Sequence, residues 1–470
     1  METRDAAATV TLPDAAGRPE LGCLLRWMLS LFLIAAISGC ASTETPPVAS
    51  AAPKPRGILV DARFAATATV LPDGTVLIAG GVANEGAAAA SAEIYDPSTG
   101  GFALTDSMLT GRAYHTATLL NHGKVLICGG IDRTGAPVRT SELYDPAQDK
   151  FEPTGNLLQA RYNHTATLLK NGKVLITGGD VTTNGVNNVD TAELYDPATE
   201  RFSVTGNVTR FYDPEADKFY YQGKMIAARG NQTATLLQNG DVLIAGGGDA
   251  HGVAQASAAI YHADTGKFTP TGSMHEARQE HRATLLPNGQ VLVTGGLNQN
   301  GQVLFTAELY NPATGGFTLT TAAFKSGTNM TSARYEHTAT PLPNGTVLIA
   351  GGSNAQFVLA TAEIYHPAEG LFTCIGGRYA GPGSPCNRSM NDFRNYATAT
   401  LLRNGTVLIA GGYNFKLAQA RNPMAAQRAL GGASVPFSLL GTAEVYNPAA
   451  RVFSPNTAIV NARYAATAAR

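Results

Sequence analysis

The sequence is poor in charged residues, tryptophan and cysteine. Charged side chains make up 15% of the 470 residues, Trp occurs once and Cys five times. Lys and Arg (34) balance Asp and Glu (35) without a block of either sign, so the chain lacks the basic surface of a nucleic-acid-binding protein. It has no Cys-x-x-Cys and no His-x-x-x-His spacing. We therefore expect no nucleic-acid partner, no metal and no cofactor.

Glycine, by contrast, is abundant, with 51 residues. Many glycines together with few charged residues are typical of short strands joined by tight turns, rather than of a helical or disordered chain. The composition therefore favours an all-β protein.

The N-terminal region carries an export signal. Met28–Ile37 is an apolar run, broken only by Ser30 and preceded by Arg26, which has the length of a signal-peptide core and is too short to span a membrane. It ends in Ile37-Ser38-Gly39-Cys40, which resembles the lipobox of bacterial lipoproteins. The resemblance implies that Cys40 is acylated and becomes the mature N-terminus. A conventional signal peptide with an incidental cysteine is the alternative.

Three regions follow from this reading. Residues 1–39 are a leader, whose long acidic start is also consistent with translation from a downstream codon. Residues 40–57 are a flexible tether rich in Ala, Ser, Thr and Pro, and residues 58–470 are the folded domain. In lipoproteins a non-acidic residue after the cysteine, here Ala41, goes with the outer membrane. We therefore expect a lipid-anchored envelope protein, attached to the outer membrane and facing the periplasm or the exterior.

One pattern returns seven times after residue 57. It consists of an Arg, a Thr-Ala-Thr segment, a turn of the Asn-Gly kind, Val-Leu-Ile-x-Gly-Gly, and Ala-Glu-Leu-Tyr-Asp-Pro. The shortest spacing between opening arginines is 49 residues, and longer spacings mark insertions. The seven opening arginines are Arg63, Arg112, Arg161, Arg229, Arg278, Arg334 and Arg394.

Each unit is predicted to form four antiparallel strands. In the third unit a Thr-rich first strand reaches the two-residue turn Asn171-Gly172, where a positive φ is tolerated and a hairpin follows. The second strand, Val174–Ile176, is apolar throughout and is followed by a small residue, which predicts burial on both faces. A third strand ends in Tyr-Asp-Pro, and a fourth carries one aromatic residue such as Phe202. Four antiparallel strands per unit make one blade of a β-propeller.

The double glycine, the Glu-x-Tyr-Asp-Pro and the aromatic residue of the fourth strand resemble the kelch repeat, although kelch repeats usually carry Trp where this chain has Phe. The resemblance covers residues 58–470 and implies an all-β, kelch-type propeller of seven four-stranded blades. The glycine pairs are interpreted as structural, because no helix follows them as a phosphate loop requires.

The chain ends in a near copy of its own first strand. Residues 461–468 repeat the opening of the first unit, residues 62–68. The copy either pairs beside the first blade and helps to close the ring, which we favour because open edges are unfavourable, or begins an eighth blade.

The opening arginines are the first candidates for a site. One guanidinium per blade at the same height would attract carboxylate or sulfate groups. Six units also carry a Glu at a fixed place, so structural Arg–Glu pairing is the favoured alternative. The fourth unit has Ala259 instead, which makes Arg229 the first residue to examine for ligand binding. The other candidates are Arg112, Arg161, Arg278, Arg334 and Arg394.

A histidine lies three residues after the arginine in four units: His115, His164, His281 and His337. Blade-related positions are distributed around a ring, so we expect hydrogen bonding within each blade rather than convergence on one metal ion.

The cysteines of the repeat region argue against copper-radical chemistry of the galactose-oxidase kind. Cys128 takes the small position before a glycine pair and is expected to be buried. Cys374 and Cys386 lie in a loop-like segment, where a disulfide would contribute about 3 kcal/mol in the loop-entropy model.

Insertions are the remaining candidates, because loops on a rigid scaffold concentrate binding residues. They are Phe211–Met225, Cys374–Asn391 and Asn414–Leu440. The complete repeat pattern without a nucleophile, base and metal set favours a monomeric, non-catalytic binding or scaffold protein with an envelope protein or glycan as partner. A carbohydrate-active enzyme, such as a sugar mutarotase or an oxidase relative, is the alternative that the kelch resemblance keeps open.

Overall fold

The structure, a computed structural model, describes residues 58–83, 86–182, 186–207, 209–213, 218–222, 224–320, 329–375, 386, 389–415 and 437–455. The leader, the tether with Cys40 and the terminal strand copy lie outside these residues. The predictions about export, acylation and the terminal copy therefore stay predictions. In the described part of the chain, no helix is long and apolar enough to cross a membrane.

The seven repeats form seven four-stranded antiparallel sheets arranged in a ring, as the repeat pattern predicted. The first strands are β1 (Thr67–Val70), β5 (Thr116–Leu119), β9 (Thr165–Leu168), β15 (Thr233–Leu236), β19 (Arg282–Leu285), β23 (Thr338–Pro341) and β27 (Thr398–Leu401). The second strands are β2 (Val76–Ala79), β6 (Val125–Cys128), β10 (Val174–Thr177), β16 (Val242–Ala245), β20 (Val291–Thr294), β24 (Val347–Ala350) and β28 (Val407–Ala410).

The outer half of each blade completes the sheet. The third strands are β3 (Ala92–Asp96), β7 (Ser141–Asp145), β11 (Ala192–Asp196), β17 (Ala258–His262), β21 (Ala307–Asn311), β25 (Ala362–His366) and β31 (Ala443–Asn447). The fourth strands are β4 (Gly101–Leu104), β8 (Lys150–Pro153), β12 (Arg201–Thr205), β18 (Lys267–Pro270), β22 (Gly316–Leu319), β26 (Leu371–Cys374) and β32 (Val452–Pro455). Two extra hairpins, β13 (Thr209–Asp213) with β14 (Lys218–Gln222) and β29 (Tyr413–Phe415) with β30 (Phe437–Leu439), lie in the first and third insertions.

The hairpin between the first two strands differs from the prediction in its loop. Gly172 N–H donates to Leu169 O (2.9 Å), and Leu169 N–H donates to Lys173 O (2.8 Å), so three residues rather than two form the loop. Only Gly172 in this loop has a positive φ, of 83°. This is a three-residue hairpin loop with glycine in the left-handed position, and it needs positive φ at one residue instead of two.

The hydrophobic core lies between neighbouring blades. All residues of all seven second strands are buried, as their continuous apolar runs predicted. One face of β6 contributes Leu126 and Cys128 to a cluster with Val174 and Ile176 of the next blade. The opposite face, with Val125 and Ile127, packs on the preceding blade. Each second strand therefore belongs to two core layers at once, and burial raises the pKa of the Cys128 thiol to about 11.

The ring closes between blades seven and one. Leu59 N–H donates to Gly441 O (2.8 Å), and Gly412 N–H donates to Arg63 O (2.8 Å). Leu59 is 3% exposed and packs against Leu408 of the seventh blade. Residues that precede the first strand of blade one thus seal the last interface. The first strand of blade one is Thr67–Val70 itself.

The second strand of each blade ends at the glycine pair, where two backbone segments of the chain approach closely. Gly129 has a φ of 65°, and a Cβ placed on it would lie 2.6 Å from Arg161 O of the next blade. Its neighbour Gly130 has a φ of 96°, and a Cβ placed on it would lie 2.6 Å from Ala113 O. Both the conformation and the space exclude other side chains.

We expect Gly129→Ala to destabilise the protein far more than Gly135→Ala. Both glycines have positive φ (65° and 81°), but a Cβ at Gly135 meets nothing within 4 Å. The control therefore measures only the conformational penalty of about 1–2 kcal/mol, whereas Gly129→Ala adds a clash with the backbone worth at least about 2 kcal/mol more. Urea unfolding of the two variants measures the difference, and equal losses would show that close approach is not what requires the glycine.

Candidate functional site

The seven opening arginines are buried inside the blades, 0–1% exposed. Each one hydrogen-bonds several parts of its blade, and we call this set of contacts the arginine brace. Arg161 is representative: its Nη1 donates to Gly178 O (2.7 Å) and Thr191 O (3.2 Å), and its Nη2 donates to a Glu193 carboxylate oxygen (2.7 Å). The guanidinium thus reaches outward to the third strand. The expected pairing with Glu is present in six blades: Arg63–Glu93 (2.8 Å), Arg112–Glu142 (2.6 Å), Arg161–Glu193 (2.7 Å), Arg278–Glu308 (2.8 Å), Arg334–Glu363 (2.7 Å) and Arg394–Glu444 (3.1 Å).

Each of these glutamates also accepts two backbone hydrogen bonds. Glu193 accepts the N–H groups of Leu158 (2.7 Å) and Gln159 (3.3 Å), two residues of the connection that precedes Arg161. A buried carboxylate with three donors has its charge and its lone pairs satisfied, which is the condition for an ion pair to be tolerated in a protein interior. The brace therefore ties the third strand to the connection between blades.

The arginine backbone links each blade to the one before it. Arg161 O accepts a hydrogen bond from Gly130 N–H (2.8 Å), and Arg112 O accepts one from Gly81 N–H (2.9 Å). Each arginine thus binds its own glycine pair through the side chain and the preceding pair through the carbonyl. The contact needs glycine at both places and couples neighbouring blades directly.

Arg229 of blade four is the exception, as expected from the Ala259 that stands in place of the paired glutamate. Its Nη1 donates to Gly246 O (2.7 Å) and Ser257 O (2.9 Å), and its Nη2 donates to Ser257 Oγ (2.8 Å). Within the described residues it pairs with no carboxylate. Burial without a compensating charge lowers the pKa of Arg229 to about 10.

We expect Arg161→Met to lower the free energy of unfolding by about 3–5 kcal/mol, because it leaves the Glu193 carboxylate buried without a counter-charge. Arg229→Met is the matched control: it removes a cation that has no carboxylate partner among the described residues, so its loss should be smaller by at least about 2 kcal/mol. Chemical denaturation of both variants makes the comparison. Equal stability of wild type and Arg161→Met would contradict the bracing role.

The histidine series also links blades, which corrects the expectation of bonding within a blade. His115 Nε2 lies 3.0 Å from Thr67 Oγ1 of the preceding blade, and His164 Nε2 lies 3.0 Å from Thr116 Oγ1. His281 and His337 make the same kind of contact, and burial lowers the pKa of all four, that of His115 to about 3. The prediction failed because the direction in which each histidine side chain points depends on how neighbouring blades pack. Within the described ranges, no group of three or more His, Cys, Asp or Glu is placed to hold a metal ion.

A ring of strained residues surrounds the propeller axis. The residue two positions after each arginine has a φ between 51° and 56°, although none of the seven is glycine. Backbone hydrogen bonds join neighbouring members at six of the seven junctions, such as Tyr114 N–H to Ala65 O (3.2 Å) and Glu336 N–H to Glu280 O (3.1 Å). The members of this axial ring are Ala65, Tyr114, Asn163, Asn231, Glu280, Glu336 and Tyr396. Because all seven units repeat the strained conformation, it belongs to the scaffold, and only the side chains differ.

An ionisable cluster occupies one side of the axial ring. The carboxyl groups of Glu280 and Glu336 hydrogen-bond each other, and Asn395 Nδ2 donates to Glu336 (2.9 Å). Arg282 follows at the start of β19, where the other six first strands carry Thr. It is partly exposed, donates to His281 O (3.2 Å), and interacts electrostatically with both carboxyls.

A hydrogen bond between two carboxyl groups requires one of them to carry a proton, and here the bond lowers the pKa of Glu280, so Glu336 is the donor. Burial raises the pKa of Glu280 to about 7, and the Arg282 guanidinium acts in the opposite direction. The cluster therefore offers a carboxylic acid, a carboxylate and a guanidinium side by side near neutral pH. Such a set can bind a polar ligand that both donates and accepts hydrogen bonds, or hold a proton for transfer.

Aromatic side chains form the other side of the axial ring. The rings of Tyr114 and Tyr396 lie 5.7 Å apart, and Phe64 packs on Tyr413 at 5.1 Å. Burial and the nearby carboxyls raise the pKa of Tyr114. The axis on this face is thus lined by rings from blades one, two and seven and by ionisable groups from blades five and six.

The three insertions leave the propeller at this same face. The first follows β12 and the second follows β26, both fourth strands, while the third follows the glycine pair after β28. Second and fourth strands run in the same direction, towards the end where the arginines begin the first strands. Cys374 and Cys386 form a disulfide at the base of the second insertion.

Sequence reasoning identified the arginines, the cysteines and the insertions, and it missed Glu280, Arg282 and Glu336. A signal for them exists in the repeats: Arg282 replaces a Thr that the six other units share, and the two glutamates stand where the others have Ala, Asn or Tyr. The strand order alone does not show that positions from blades five and six meet at the axis.

The fold and the axial ring define the class of protein: a seven-bladed β-propeller with one face that departs from sevenfold symmetry. No family model and no curated protein matches the chain.

We expect Glu280→Gln to change the pH dependence of stability. The folded protein holds the Glu280 proton up to about pH 7, whereas the unfolded chain releases it near 4.5. The folded state therefore binds more protons between these values, and this contribution to stability falls as pH rises through the window. Relative to wild type, the variant should gain stability on the order of 3 kcal/mol between pH 5 and pH 8.

The comparison is made as the difference between the two unfolding free energies at each pH. The buried histidines work in the opposite sense, since their stability is lost as pH falls below about 6.5, and they cancel because both proteins contain them. Glu369→Gln, at an exposed turn, is the control and should give a much smaller change between these pH values. A constant difference for Glu280→Gln would contradict the raised pKa of Glu280.

Proposed function

We propose that the chain is a kelch-type binding protein of the bacterial cell envelope that takes a glycan at the axis on the arginine side of the propeller. The observation that carries the proposal is the two-sided lining of the axial ring. Aromatic rings can stack on the apolar faces of sugars, while Glu280, Glu336 and Arg282 supply donors and acceptors for hydroxyl or carboxylate groups.

The placement of irregular features supports this choice of face. The scaffold is repeated seven times, so a residue that departs from the repeat is not needed for the brace. Arg282 is such a residue: it is a partly exposed arginine at a position where the other six units carry Thr. The three insertions begin at this same face, and loops on a rigid scaffold concentrate binding residues.

Export and anchoring complete the proposal. The apolar run Met28–Ile37 and the lipobox-like Ile37–Cys40 support a chain that is acylated at Cys40 and attached to the outer membrane. A tether of residues 40–57 would then hold the propeller near envelope glycans. The Cys374–Cys386 disulfide suits an oxidising compartment.

Binding is tested with a panel of neutral and acidic oligosaccharides, including soluble peptidoglycan fragments, against wild type and Arg282→Thr. The variant restores the residue of the other six units and should fold normally. We expect its affinity for the bound glycan to fall at least about tenfold, since a charged hydrogen bond is worth about 1.5–3 kcal/mol. Lys150→Thr, on the exposed outer strand of blade two, is the control and should bind as wild type does.

Two outcomes would overturn the proposal. If wild type binds no member of the panel in calorimetry, glycan binding is ruled out. If Arg282→Thr binds as tightly as wild type, the axial site is ruled out while glycan binding remains.

A carbohydrate-active enzyme, such as a sugar mutarotase, is the second candidate, and the raised pKa of Glu280 beside Glu336 favours it. A carboxyl with a pKa near 7 is suited to donate and accept a proton at neutral pH. Measuring anomer exchange of any sugar that binds separates the two candidates: exchange lost in Glu280→Gln supports catalysis, whereas binding without exchange supports the non-catalytic protein.

A further inference from the structure

Blade four keeps the donors of the arginine brace and lacks its acceptor. In blade three the Glu193 carboxylate accepts hydrogen bonds from Leu158 N–H (2.7 Å), Gln159 N–H (3.3 Å) and Arg161 Nη2 (2.7 Å). The corresponding donors in blade four belong to Ile226, Ala227 and Arg229. The corresponding acceptor is absent because Ala259 takes the place of the glutamate.

The backbone of blade four holds these donors in the usual arrangement. Arg229 Nη1 donates to Gly246 O at 2.7 Å, the same distance as from Arg161 to Gly178 O. Ala259 pairs with Ile244 in the register in which Glu193 pairs with Ile176. The connection before Arg229 has the same bend, at Ile226 and Ala227, that Leu158 and Gln159 form in blade three. The loss of the carboxylate has therefore not been accompanied by a rearrangement of the groups that bound it.

The described part of the chain supplies no substitute partner for these donors. Among the residues that the structure describes, none accepts a hydrogen bond from the N–H of Ile226 or Ala227. Arg229 is 1% exposed, and no described carboxylate offsets its charge. A second compensation is missing too: Ala227 stands where Asp61 and Asp392 supply an additional carboxylate to the arginines of blades one and seven. A buried guanidinium without a counter-charge attracts an anion.

We propose that blade four binds a small carboxylate at Arg229, with the N–H groups of Ile226 and Ala227 as its other donors. Replacing Glu by Ala removes the atoms beyond Cβ, a methylene carbon and a carboxylate, and these are the atoms of one acetate ion. The slot therefore matches a ligand with an unbranched CH2–COO⁻ end. Ile226 is 45% exposed, as Leu158 is at 50% in blade three, so the segment that carries these donors lies at the surface of the propeller. This site is separate from the axial ring and does not depend on the proposed glycan binding.

The test is the melting temperature of the full chain in sodium acetate at pH 7 and constant ionic strength. For wild type we expect a saturable rise of about 2 °C at ten times the dissociation constant. Acetamide has nearly the same shape without the charge and should produce no rise. Ala259→Glu supplies the missing carboxylate from the chain, so it should melt higher without acetate and show no response to it.

Glu193→Ala provides the matched calibration, because it creates the same vacancy in blade three. It should melt lower than wild type and recover part of the loss in acetate. A response in Glu193→Ala together with none in wild type would overturn the proposal, since it would show that the blade-four slot is closed. An acetate response that persists in Ala259→Glu would overturn it as well, because the ion would then bind elsewhere.

A direct measurement covers the case in which Glu193→Ala does not fold. Saturation-transfer NMR from the protein to acetate needs only wild type and Ala259→Glu. Transfer that is present in wild type and lost in Ala259→Glu supports the slot, and equal transfer in both, or none in wild type, rejects it.

Discussion

A buried guanidinium holds each blade together and to its neighbour, and the rest of the ring depends on it. The arginine is the point where the glycine pair, the third strand and the connection between blades meet, as Arg161 does with Gly178, Thr191 and Glu193. A cation at 0–1% exposure is unfavourable unless its donors and its charge are satisfied. The repeat therefore has to conserve within itself a set of partners: a small residue and two glycines, a glutamate, and two free N–H groups. This is why the pattern returns so completely through the chain.

The contacts that every blade must keep explain at which positions the seven repeats differ. The core lies in layers between blades and uses the second strands on both faces, so apolar substitutions there would affect two interfaces at once. The axial ring and the loops of the arginine-side face carry no such demand. Glu280, Arg282 and Glu336 break the repeat at the axis, and Ala259 breaks it inside blade four. The two departures differ in kind, because the first adds ionisable groups and the second removes one.

The fold was predictable because the information is local and repeated. Val174–Ile176 predicts a strand buried on both faces, and the structure confirms it; Ala259 likewise predicts an arginine without its glutamate, which Arg229 is. Two expectations failed. His115 hydrogen-bonds Thr67 of the preceding blade rather than a partner in its own blade, because the packing between blades decides which neighbour the side chain faces. The turn at Gly172 has three residues instead of two, since a single left-handed glycine satisfies the hairpin.

The sequence by itself determined the all-β class, the four strands of each unit, the number of blades and the six Arg–Glu pairs, because each of these follows from residue types at short and recurring separations. Only the tertiary structure decided which residues meet at the axis. Glu280 and Glu336 are separated by a whole blade in the chain and hydrogen-bond each other because the propeller places the same position of every blade around one axis. Which side chains meet at the axis depends on the whole ring and cannot be read from any one repeat.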